Sequence, residues 1–91
     1  MNRKQKVFKA MWRKNAEEIL AYVYQNETAS FEELVQNFPT TSASSIRKIT
    51  NLLTYAGLIK SVRNKQSEDK RAKHYIIADE TATIAVLEFE I

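Results

Sequence analysis

The 91-residue chain has no cysteine, one glycine, one proline and one histidine. Each scarcity closes off a class of chemistry. Without cysteine there is neither a disulfide framework nor a thiolate metal site. With Gly57 as the one glycine, no glycine-rich loop can cradle a phosphate chain. His74 has no second histidine or cysteine to complete a metal site, and it reads as a strand residue. Nothing in the sequence brings a serine and an aspartate beside it for nucleophilic catalysis. The chain is therefore expected to be no enzyme and to hold no cofactor and no metal. No apolar run approaches the ~20 residues of a membrane-spanning helix. The basic N-terminus lacks the apolar core and cleavage site of a signal peptide. A soluble, cytoplasmic protein with no membrane partner is expected.

Charge, by contrast, is plentiful and unevenly placed. Hydrophobic residues make up 44% and charged residues 27%, the balance of a globular rather than a disordered chain. A chain of 91 residues suffices for one small domain and not for two. The formal net charge is only +3, yet all 14 Lys and Arg fall in three blocks. Arg3, Lys4, Lys6, Lys9, Arg13 and Lys14 make the first. Arg47 and Lys48 make the second, and Lys60, Arg63, Lys65, Lys70, Arg71 and Lys73 the third. Residues 15–46 and 74–91 carry acidic residues and no Lys or Arg. If the blocks converge in space, the surface is bipolar and its positive face attracts a polyanion. Any one block taken alone reads equally well as a solvated face.

The most informative stretch is residues 41–59. At helical period, Ile46, Ile49, Leu53 and Ala56 form a buried stripe with Leu52 at its edge. Ser44, Arg47, Lys48, Asn51 and Tyr55 fall on the opposite side. Hydroxyl residues crowd the start, where they can accept from the free N–H groups of a first turn. Gly57 stands where the helix must end. The result is a helix anchored on one side, offering hydroxyls, cations and an amide on the other. Such a set suits phosphates and base edges.

Before it, residues 5–25 read as one long helix or two, with Phe8, Trp12, Ile19 and Val23 at helical spacing. Phe8, Met11 and Trp12 can pack on the core, form a dimer seam, or lie on a membrane surface. A polar break with a very short strand is admitted at residues 26–29. Ser30 and Glu33 have capping-box spacing and open a short helix with Phe31, Leu34, Val35 and Phe38, closed by Pro39. Two short helices so joined, the second with a polar outer face, make a helix-turn-helix. After Gly57, residues 58–63 and 73–77 read as strands of a hairpin with a wholly polar tip. From Asp79 onward the signals conflict. Asp79 can cap a helix, yet Thr81, Thr83, Ile84 and Val86 are β-branched and residues 87–91 alternate as a strand would. A helix is slightly favoured.

This order resembles a winged helix-turn-helix domain. The carriers are Phe31-Glu32-Glu33-Leu34, then Ser44-Ser45-Ile46-Arg47-Lys48 leading to Leu52-Leu53-Thr54-Tyr55-Ala56-Gly57-Leu58-Ile59, and the basic hairpin ending at Tyr75. The segment ending Ala-Gly-Leu-Ile is similar to that of ArsR-like and MarR-like transcriptional regulators. The likeness spans residues 16–77. It implies an α+β, mainly helical fold with a three-helix core, a β-hairpin wing and an N-terminal helical extension. The whole chain then forms one domain, with residues 1–14 a basic extension, 15–79 the core and 80–91 a C-terminal element open to dimerisation. The resemblance further implies a homodimer on double-stranded DNA, the third helix in the major groove and the wing on the flanking backbone.

Two departures narrow this. Metal-sensing ArsR-like proteins use Cys and His ligands, and this chain has no Cys and a single His, so metal sensing is not expected. MarR-like proteins are longer and have a ligand pocket. The candidate DNA contacts are Ser44, Ser45, Arg47, Lys48, Asn51 and Tyr55 on the helix. Arg63, Lys65, Lys70, Arg71 and Lys73 are the candidates on the hairpin. Arg47 and Lys48 can reach guanine O6/N7 or the backbone, and Asn51 can pair with adenine. A winged-helix protein–protein module and an RNA-binding or replication-associated winged helix are the competing readings.

Overall fold

Capping side chains set four of the five helix starts. The computed structural model describes residues 1–63 and 73–89. Helix α1 (Arg3–Met11) opens on a reciprocal box in which Asn2 Oδ1 accepts from the Gln5 amide and Gln5 Oε1 from the Asn2 amide. The run of residues 5–25 divides in two. Asn15 takes a left-handed conformation (φ 70°), which interrupts the helix before α2 (Ala16–Asn26). Glu17 and Glu18 sit in the first turn of α2, where the helix dipole favours acids.

A second positive φ, at Glu27 (67°), turns the chain into strand β1 (Thr28–Ser30). Ser30 ends that strand and also caps α3 (Phe31–Asn37). Its Oγ accepts from the Glu33 amide at 3.1 Å, completing the box read from the sequence. Helix α4 (Ala43–Tyr55) follows, capped by Ser42, whose Oγ accepts from the Ser45 amide at 3.1 Å. Gly57 closes it with φ +78°. Strands β2 (Ile59–Arg63) and β3 (Lys73–Ile77) form the hairpin, and α5 (Glu80–Phe89) follows.

The sheet is antiparallel in the order β1-β3-β2, with Ala29 opposite Tyr75 and Arg63 opposite Lys73. The core lies between helices and sheet. Ile19, Leu20 and Val23 come from α2, Leu34 from α3, Ile46, Ile49 and Leu53 from α4, and Leu58 and Ile59 from the start of the hairpin. Ala10 of α1 is also fully buried. In α4 this burial decides the conformation. Ser, Thr and Asn each cost about 0.5 kcal/mol in a helix, whereas burying one Ile or Leu contributes about 1.5–3 kcal/mol.

The C-terminal segment is helical. Asp79 Oδ1 accepts from the Ala82 amide at 2.9 Å, the cap that the sequence offered. Ala82, Val86 and Leu87 pack against the core, and Thr83 is fully buried. Packing of this face outweighs the β preference of Thr and Val.

Candidate nucleic-acid interface

The outward face of α4 is open. Ser44, Arg47, Lys48, Asn51 and Tyr55 are all exposed, while Ile46, Ile49, Leu53 and Ala56 are buried behind them. This follows from the 3.6-residue period alone. Ser45 is different. It is half-buried, and its Oγ accepts from Ser42 Oγ at 2.9 Å within the cap. Ser42, the capping residue itself, was not singled out in the sequence, although its place three residues ahead of Ser45 is the cap-to-N3 spacing. Thr50 is buried and donates to the Arg47 carbonyl at 3.0 Å, and Thr54 donates to the Thr50 carbonyl at 2.7 Å. Such back-bonding lets a hydroxyl face the interior of a helix without an orphaned proton.

Neighbouring elements brace this face. At its N-terminal end, Asn15 Nδ2 donates to Thr41 Oγ1 at 2.6 Å, joining the α1–α2 connection to the turn before α4. On the α3 side, the Arg47 guanidinium lies over the Phe31 ring, 4.6 Å from its centroid. At the far end, Lys6 of α1 lies over Tyr55 at 4.3 Å. Tyr55 therefore meets the first basic block. Helix α3 is held to α2 by Tyr22, whose hydroxyl donates to Glu33 Oε2 and accepts from Asn37 Nδ2, each at 3.3 Å. Burial and the Glu33 carboxylate raise the Tyr22 hydroxyl above the ordinary tyrosine value.

On the hairpin, Arg63 and Lys73 are exposed and directly opposite one another. Lys65, Lys70 and Arg71 lie outside the described residues. His74 is a strand residue with Nδ1 3.2 Å from Thr28 Oγ1. Of the first basic block, Arg3 is paired with Asp79 at 2.7 Å.

Two further features frame the site. Among the described residues, no three His, Cys, Asp or Glu side chains gather closely enough to hold a metal ion. No described helix is long and apolar enough to cross a membrane. On the flank formed by α1 and α5, Val7, Phe8, Met11 and Trp12 face Ala82 and Val86 across an apolar groove. Phe8 is 64% and Trp12 77% exposed there.

No protein-family model and no curated protein matches the sequence. Solved structures do. M. tuberculosis Rv0081 aligns with a TM-score of 0.74 at 21% identity, over 96% of this chain and 80% of that one. The transcriptional regulator HlyU from Vibrio vulnificus aligns with a TM-score of 0.69 at 21% identity, over 96% and 82% respectively. A transcriptional regulator of the ArsR family gives 0.69 at 18% identity, over 97% and 84%. Agreement over nearly the whole chain at such low identity is agreement of architecture. The chain has the winged helix-turn-helix fold, with α3 and α4 as its helix-turn-helix and β2–β3 as its wing.

Proposed function

We propose that this protein is a sequence-specific regulator of transcription that binds double-stranded DNA as a homodimer. Helix α4 enters the major groove, and the β2–β3 wing rests on the flanking backbone. One observation carries this reading: Ser44, Arg47, Lys48 and Asn51 stand together on an uncovered face of a helix whose other face is locked into the core. Asn51 offers the bidentate amide that suits adenine, Lys48 a donor for guanine or phosphate, and Ser44 a hydroxyl beside the first turn. Arg63 and Lys73, with Lys65, Lys70 and Arg71 of the hairpin, supply phosphate contacts. The named regulators among the structural neighbours support the same reading.

A protein-docking role for this face fits less well. Large apolar anchors are what such faces use, and Tyr55 is the one large ring there, covered in part by Lys6. The homodimer is supported by the groove between α1 and α5, where Phe8 and Trp12 remain uncovered on a single chain.

Fluorescence titration of a labelled random duplex at two salt concentrations tests the central claim. Binding should tighten markedly at low salt, because neutralised phosphates release counterions. Absent or salt-insensitive binding refutes it.

A further inference from the structure

The guanidinium of Arg47 has an aromatic partner that favours one placement of the side chain. Its Cζ lies 4.6 Å from the centroid of Phe31, the first residue of α3. That ring is itself half-buried and packed on the core, so it is a fixed platform. Among the described residues, no carboxylate pairs with Arg47 and its side chain makes no hydrogen bond. A cation–π contact pairs the guanidinium with no hydrogen-bond acceptor or counter-charge, so among the described residues its N–H donors stay unspent. Preorganising a long side chain removes part of the ordering cost that binding would otherwise carry.

The direction of the contact matters as well. It draws Arg47 towards α3, the helix that carries Phe31. When a helix-turn-helix sits on a duplex, the second helix fills the major groove and the first crosses the backbone. We infer that Phe31 is a positioning residue for Arg47, holding the guanidinium edge towards a phosphate at the lip of the groove instead of towards a base. This rests on the DNA-binding reading above. It divides the labour on α4: Arg47 places the helix, and Asn51 and its neighbours read the sequence.

The test measures duplex binding by Phe31→Leu, Phe31→Tyr, Arg47→Ala and the double variant F31L/R47A, each with a thermal melt. Phe31→Leu should weaken binding about two- to five-fold, the range of an exposed cation–π contact, and Phe31→Tyr should restore it. Arg47→Ala should weaken all duplexes alike and lower the salt slope by about one phosphate. The double variant should bind no more weakly than Arg47→Ala. Arg47→Lys keeps the charge and leaves the core untouched but lacks the flat face. It should lose affinity about as Phe31→Leu does, which carries the test even if Phe31→Leu fails to fold. Additive losses, an Arg47→Ala variant that binds normally or re-ranks sequences, or an Arg47→Lys variant at full affinity overturns this assignment and leaves DNA binding standing. Failure of the unaltered chain to bind any duplex overturns both.

Discussion

Arg3 and Asp79 meet at 2.7 Å across nearly the whole length of the chain. One Asp79 oxygen takes the Arg3 guanidinium, and the other accepts from the Ala82 amide at 2.9 Å. A single carboxylate thus caps α5 and ties it to α1. The Ala82 hydrogen bond, then the Arg3 contact, hold the Asp79 carboxyl below the ordinary aspartate value. A group with a lowered folded-state pKa stabilises the fold fully above its unfolded value, and loses that effect as pH falls through the folded one. Urea midpoints should therefore fall in the unaltered protein below about pH 4, the ordinary aspartate range. Asp79→Ala should be less stable at neutral pH and should show a smaller drop over that acid window. An unchanged pH profile in the variant would show that the carboxylate contributes nothing.

Thr83 is fully buried in α5, and its Oγ1 has no hydrogen-bond partner among the described residues. A buried hydroxyl without a partner costs its desolvation and recovers nothing. Valine has the same branched shape and no hydroxyl. Thr83→Val should therefore raise stability by about 1 kcal/mol, read as a higher urea midpoint at unchanged slope.

Gly57 adopts φ +78°, and a Cβ there would meet nothing closer than the Arg3 side chain at 3.8 Å. Space is not the constraint; conformation is. Gly57→Ala should destabilise by about 1–2 kcal/mol, the cost of the left-handed region for a residue with a Cβ. Gly57→Asn should recover part of that loss, because asparagine visits the region more readily. Equal losses in both variants would point to a lost contact instead.

Trp12, the one tryptophan, lies 5.2 Å from Phe8 ring to ring on the open α1 face. If a second copy covers this groove, light scattering should give twice the mass of one chain, and Trp12→Glu should give the single mass. The emission of Trp12 should also shift to longer wavelength on dilution as the indole returns to water. A constant single-chain mass at all concentrations would remove the homodimer from the proposal.

Asn51 is exposed at mid-helix on α4, and its amide makes no hydrogen bond within the described chain. Asn51→Ala should cost about 1–3 kcal/mol on the preferred duplex and much less on random DNA. A uniform loss over all sequences would make Asn51 a backbone contact. Selection of bound sequences from a random pool supplies the preferred duplex.

How much of this was legible beforehand follows the range of each physical signal. The two faces of α4, its stop at Gly57, the Ser30–Glu33 box and the hairpin were readable because period, caps and left-handed glycine act within a turn or two of chain. The C-terminal segment was not decided locally. Its β-branched residues and its Asp79 cap disagree, and only the core surface offered to Ala82, Val86 and Leu87 makes it a helix. At the break before α2, the Asn15 side chain finds its partner in Thr41, 26 residues away, which no local signal announces. Sequence by itself determined which side of α4 meets water. Only the tertiary structure decided that Arg47 leans on Phe31, that Lys6 lies over Tyr55 and that the Thr83 hydroxyl is buried without a partner among the described residues. The reason is physical: a side chain's polarity says whether it prefers water, but its partner is set by whichever distant element packs beside it.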